Sequence, residues 1–123
     1  MAADKLLMAV VELGGYPDFT SIYEQAGYCV ITVNSLRKAI QSLKKARPQI
    51  IVAEFNFQSD FRDRTSNLES LLAAVERIAD CKVVVFYEQE YRHQLDRLCQ
   101  QHSLHAMLPY PVDVEQLVAS LES

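Results

Sequence analysis

The chain has 123 residues, the size of one domain, and half of them are hydrophobic, which argues against a disordered chain. Its 12 basic and 16 acidic residues leave a net charge of −4, which disfavours nucleic acid and anionic membrane as partners. No apolar run approaches the roughly 20 residues that cross a bilayer, and three cysteines without a CxxC pair argue against a disulfide framework and for a reducing cytoplasm.

Five short apolar runs alternate with five amphipathic ones. The first run, 6–13 (LLMAVVEL), has no small-residue cleavage site after it and predicts a strand, not a signal peptide. Gly14-Gly15 follow, but neither the G-x-G-x-x-G spacing nor a P-loop lysine is present, so they predict a turn into a helix begun by Pro17 and Asp18. Phe19, Ile22, Tyr23 and Ala26 form that helix's apolar face. The second strand is 29–33 (CVITV). Leu36, Ala39, Ile40 and Leu43 mark the second helix, with Asn34 and Ser35 as cap candidates. The third strand is 50–55 (IIVAEF).

Residues 56–66 then form the one long irregular stretch, with Gln58, Ser59, Asp60, Arg62, Asp63 and Arg64, longer than the usual strand–helix loop. It reads equally as a functional loop or a solvated one. Leu68, Leu71, Leu72, Val75 and Ile78 form the third helix, opened by Thr65, Ser66 and Asn67. The fourth strand is 82–87 (KVVVFY), and Tyr91, Leu95, Leu98 and Cys99 mark the fourth helix. The fifth strand is 106–108 (AML). Val114, Leu117, Val118 and Leu121 complete the series, with Asp113 near the start of the last helix. The middle three strands are almost continuously apolar, as strands buried on both faces are.

This alternation predicts an α/β domain over residues 1–123. It would be one doubly wound parallel sheet of five strands, in the flavodoxin-like order 2-1-3-4-5, with five helices. The functional crevice of such a sheet lies outside the carboxyl ends of its strands. Two other constellations carry less. Cys99, His102 and His105 lack the spacing of paired zinc ligands, and Cys99 falls on an apolar helix face. Cys29 and Cys81 read as core thiols away from the crevice.

Three local segments add a family likeness. Ala46-Arg47-Pro48-Gln49 leads into an apolar run ending in the acid Glu54. Gln25-Ala26-Gly27-Tyr28 ends a helix on a glycine suited to a left-handed cap. Pro109-Tyr110-Pro111-Val112-Asp113 closes the last strand. With the five βα units, the chain resembles, over essentially its whole length, the receiver domain of two-component response regulators. The resemblance implies four functional parts. An aspartate ending the third strand takes the phosphoryl group, and two acids ending the first strand hold Mg²⁺. A Thr or Ser ending the fourth strand and a Lys ending the fifth bind the phosphoryl oxygens.

The chain departs at each of them. Glu54 stands at the phosphoacceptor position, and Val10 and Val11 replace the acid pair, with only Glu12 nearby. Tyr87 falls at or next to the hydroxyl position, and Tyr110 replaces the lysine. The expectation is a degenerate pseudo-receiver that is not an enzyme and uses no cofactor or metal. It would act independently of phosphorylation, as a protein–protein interaction module in signalling or regulation. Its partner would be a protein, a second copy of itself included. Receivers use the surface of the fourth helix, fifth strand and fifth helix for partners, which here offers Tyr91, Tyr110 and Pro111, with Tyr87 gathered nearby. The resemblance also implies a cis peptide before Pro111. Glu54 would either imitate part of the phosphorylated state, or reach solvent, or pair with Arg62 or Arg64. Since the chain ends two residues after Leu121, no output domain is expected and a signal would pass by docking. The alternative is an atypical phosphoacceptor, or a small-ligand-binding flavodoxin-like protein, using Glu12, Glu54 or Asp60 at the crevice; rim carboxylates such as Glu12, Asp60 and Glu88 could also build an unusual cation site.

Overall fold

The structure, a computed structural model, describes residues 5–12, 16–55, 68–77 and 81–122. Strands β1 (Leu6–Val10), β2 (Cys29–Val33), β3 (Ile50–Glu54), β4 (Lys82–Tyr87) and β5 (Ala106–Pro109) alternate with helices α1 (Thr20–Gln25), α2 (Leu36–Ala46), α3 (Glu69–Val75), α4 (Arg92–Gln101) and α5 (Val114–Glu122). A 3₁₀ turn, Gln89–Tyr91, leads into α4. All strand pairs are parallel and the order is β2-β1-β3-β4-β5, as the sequence predicts.

Side-chain alternation along the central strands sorts the core into two layers. Met8, Val10, Ile51, Ala53, Val83, Val85 and Tyr87 meet the apolar faces of α2, α3 and α4. Leu7, Ala9, Ile50, Val52, Val84 and Phe86 meet Phe19 and Tyr23 on one side and Leu117 and Leu121 of α5 on the other. Helices therefore cover both faces of the central strands.

Local signals place the element ends. The Ser35 side chain accepts a hydrogen bond from the Lys38 N–H at 3.1 Å and caps α2, whose last turn carries Lys44 and Lys45 against the negative end of the helix dipole. Replacing Ser35 by Ala is expected to cost about 1 kcal/mol, read as a lowered urea midpoint with an unchanged slope. Gly27, at φ +99°, makes the left-handed turn between α1 and β2.

Four expectations need correction. β1 stops at Val10 and not at residue 13, because Val11 is already 41% exposed beyond the sheet. Pro17 and Asp18 precede α1 and do not begin it. The Asp18 carboxylate accepts from the Thr20 N–H at 3.0 Å and the Thr20 hydroxyl at 2.6 Å, so it folds the chain into the helix from outside. β2 is not buried on both faces: it is the sheet edge, and none of its five residues is fully buried. Cys29 is consequently exposed and is not a core thiol, whereas Cys81 is half-buried and burial pushes its thiol up to about 11. Gly14-Gly15, the 56–66 loop with Asp60, Arg62 and Arg64, the Thr65–Asn67 opening of α3, and Ile78 lie outside the described residues.

Candidate functional site

The crevice at the carboxyl ends of β1 and β3 is a cavity of about 290 Å³ beside α1. Its floor follows from register. Val10 pairs with Ala53 and Glu54 with Phe86, so Val11 just past β1, Glu54 at the end of β3 and Phe86 one residue before the end of β4 lie level across the sheet. Glu54 continues the row of Ile50 and Val52, and Phe86 continues that of Val84, so both belong to the α1/α5 side of the sheet. Glu54 is only 4% exposed, which makes it the one buried acid among the described residues. It has an interaction within the chain.

Aromatic rings close one wall. The Tyr16 ring lies 5.3 Å from Phe86 and 5.5 Å from Tyr110, the latter edge-on, and Phe19 meets Phe86 edge-on at 5.6 Å. Burial, and then the negative charges of Glu88 and Glu54, push the Tyr16 hydroxyl up to about 12. The Tyr23 hydroxyl, deeper in the same wall, is raised further by burial. Asp18 and Thr20 stand at the rim with Pro17, and no Lys or Arg is among the cavity's described lining.

The positions expected to form one site divide between the two faces. Val10 is 2% exposed and turned into the α2/α3/α4 layer, while Val11 lines the crevice. Tyr87, at 3% exposure, also faces the α2/α3/α4 layer. Its hydroxyl accepts from the Arg92 Nη1 at 2.7 Å, with the guanidinium 5.5 Å from the ring centre and bound in turn to Asp96 at 2.9 Å. The Tyr87 hydroxyl thus belongs to α4 and not to the Glu54 side. Glu12 is half-exposed just past β1 and Glu88 is exposed just past β4.

The tyrosine cluster is likewise divided. Tyr91 is half-buried against the core beneath α4. Tyr110 is 47% exposed, donates its N–H to the Tyr87 carbonyl at 2.8 Å, and directs its ring to Tyr16; the peptide to Pro111 is cis. Pro111 and Val114 are exposed beside it.

Cys99, His102 and His105 do not converge. The Cys99 Sγ donates to the Met107 Sδ at 3.3 Å, the His102 Nδ1 meets a Glu76 carboxylate oxygen at 2.5 Å, and the His105 Nε2–H donates to the Ser120 carbonyl at 2.9 Å. Among the described residues no three His, Cys, Asp or Glu gather as metal ligands. Sequence reasoning missed Tyr16 and Phe86 as crevice walls. Tyr16 belongs to no periodic run, and Phe86 reads as one more core residue of an apolar strand. The available signal was the register of the strand ends.

The Tyr16 environment has a measurable consequence. A free tyrosine titrates near 10, so between pH 10 and about 12 the folded chain holds a proton that the unfolded chain has released. This contribution to stability is complete below pH 10 and is lost as pH rises through that window. Tyr16→Phe is expected to make that part of the stability curve less steep and to remove one late-titrating ring from the tyrosinate absorbance, with Tyr23 titrating later still. Cys81 adds a separate loss between pH 9 and about 11, silent in tyrosinate absorbance.

No protein-family model and no curated protein matches the sequence. Solved structures do. A response regulator receiver domain protein from Clostridium thermocellum superposes with a TM-score of 0.76 at 11% identity, over 96% of this chain and 91% of that one. The chemotaxis protein CheY4 of Vibrio cholerae gives 0.72 at 20% identity, over 96% of each chain. The N-terminal signal receiver domain of a two-component response regulator from Bacteroides fragilis gives 0.72 at 18%, over 96% and 94%. The strand order, the helices on both faces and these likenesses together give the chain the flavodoxin-like α/β fold of response regulator receiver domains.

Proposed function

We propose that the chain is a pseudo-receiver: a non-enzymatic signalling module that works without phosphorylation and docks on a protein partner. The observation that carries this reading is the chemistry of the crevice. A receiver-type phosphotransfer site needs several carboxylates around Mg²⁺ and a cation for the phosphoryl oxygens. Among the described residues this crevice has one buried carboxylate, Glu54, between apolar and aromatic walls, with Val11 just past β1. Val10 faces away into the core, and Tyr110 brings a ring where an ammonium would be needed.

The docking surface we assign is the edge around β5 and α5. Tyr110, Pro111 and Val114 are exposed there, with Tyr91 half-buried at the start of α4. A tyrosine held by its own ring contact offers contact area at low entropic cost.

The test is an amide-resolved NMR titration with Mg²⁺ and then with beryllofluoride, which stands in for a phosphoryl group. The expected result is a spectrum that stays still at Glu54, Val11 and Tyr87 at millimolar Mg²⁺. Saturable shifts clustered there would replace this reading with that of an atypical phosphoacceptor. Glu54→Gln separates the two roles of that acid: an altered partner affinity means its charge sets the state of the module, and an unchanged one means it does not. Tyr110→Ala is expected to weaken a partner complex, or a self-complex, by about tenfold or more while leaving the urea midpoint in place.

A further inference from the structure

We infer that the chain associates weakly with a second copy of itself, head to tail, by packing the basic outer face of α2 on the acidic outer face of α5. This goes beyond the Tyr110 docking surface and uses other residues.

The first observation is that charge is sorted by helix. α2 carries Arg37, Lys38, Lys44 and Lys45 and no acid, and Arg47 follows as its cap. α5 carries Glu115 and Glu122 and no base. All of these side chains are exposed, and among the described residues no ion pair engages them. The net charge of −4 is an average over a chain that has one strongly basic helix face.

The second observation is the spacing. On a helix, residues four and seven positions on return to the same side, the latter about 10 Å along the axis. Arg37, Gln41 and Lys44 form such a row on α2, turned away from the buried Ala39 and Leu43. Lys38 and Lys45 flank it at the same interval of seven. Glu115, Ala119 and Glu122 form the matching row on α5, turned away from the buried Leu117 and Leu121. The two rows therefore hold charges of opposite sign at equal separation, and the small Ala119 between the acids leaves room for Gln41.

The third observation is the topology. α2 packs in the layer of Met8 and Ile51, and α5 in that of Leu7 and Val52. The two faces lie on opposite sides of one sheet, so a chain cannot join its own, and the contact needs a second copy. Because the faces differ, the contact is heterologous and repeats from copy to copy. Like net charges oppose it, but they are screened beyond about 8 Å at physiological salt, whereas the paired side chains meet within that distance. An exposed ion pair contributes little. Two short helices also cover less than the roughly 800 Å² per partner of a standard interface. The complex therefore belongs in the high-micromolar to millimolar range.

The experiment follows amide-resolved NMR and sedimentation equilibrium of the full chain over a concentration series that reaches the millimolar range. The expected result is a rising apparent mass, with concentration-dependent shifts at Arg37, Gln41 and Lys44 together with Glu115, Ala119 and Glu122. Two charge-reversed variants then test the pairing: Arg37→Glu with Lys44→Glu, and Glu115→Lys with Glu122→Lys. Each alone should weaken self-association by about tenfold or more. Their equimolar mixture should restore it, since each keeps the face that the other has lost. The four positions are exposed, so the fold should survive, and urea midpoints check this. Should a reversed variant not fold, the glutamine substitutions at the same two positions take its place. A parent chain that stays monomeric at millimolar concentration would overturn the inference. So would shifts confined to Tyr110 and Val114, unchanged association in either variant, or a mixture that does not recover. None of these outcomes touches the docking reading, which stands or falls with Tyr110→Ala.

Discussion

Leu117→Ala is expected to destabilise the fold by about 2–5 kcal/mol, out of a total that for such domains is about 5–15 kcal/mol. Leu117 has no exposure and sits in the layer formed by Leu7, Val52, Val84 and Phe86. Few other groups hold α5 to the sheet. Leu121 is buried one turn later, the Tyr28 hydroxyl donates to its carbonyl at 3.1 Å, and His105 donates to the Ser120 carbonyl. The Ser120 hydroxyl donates to the Leu117 carbonyl at 2.7 Å, within the helix. Removing the leucine leaves a cavity that these contacts cannot close. The urea midpoint should fall with an unchanged slope, and amides of α5 should exchange with solvent faster than those of α2. Since α5 borders the surface carrying Tyr110 and Val114, partner binding should weaken with it. An α5 that stays protected in the variant would show that the helix is held by something other than this anchor.

Placing acids at the end of β1 should give opposite results at adjacent positions. Val10→Asp is expected to cost about 3 kcal/mol or more at neutral pH, because it places an unpaired carboxylate in a dry layer. Val10 is 2% exposed among Met8, Ala53 and Val85. Val11→Asp should stay within about 0.5 kcal/mol of the parent, as its side chain is 41% exposed at the crevice mouth. The sign of the pH dependence follows from burial. The folded-state pKa of an aspartate at residue 10 would lie above its unfolded value, so the penalty is present above that unfolded value and disappears as the carboxyl protonates on acidification. Chemical denaturation of both variants at neutral and acid pH is the check. Similar costs at the two positions would mean that Val10 is not turned into the core as described.

Much of the fold was legible because it depends on period. The Val/Ile runs at 50–55 and 82–87 predict β3 and β4 within a residue, and Leu36, Ala39, Ile40 and Leu43 predict the face of α2 on which Ala39 and Leu43 are buried. Ser35 and Gly27 announce a cap and a left-handed turn through their own chemistry. What misled was context. CVITV is as apolar as its neighbours, yet β2 ends at the sheet edge, so the same residue types stay half-exposed and Cys29 lies on the surface. Propensity is local, while edge or centre is set by which strands pair.

The site shows the same division. The amino-acid sequence by itself determined which chemical groups reach the strand ends: the valines around the end of β1, the acid Glu54 at the end of β3 and the ring of Tyr110 after β5. It determined this because the βα spacing locates strand ends without any tertiary contact. Only the tertiary structure decided which of those groups face one another. Side chains alternate along a strand, so one residue of register separates the two faces of a sheet. That single step turns Val10 and Tyr87 into the α2/α3/α4 core and leaves Val11, Glu54 and Phe86 to meet Tyr16, a residue from an irregular segment, across the crevice.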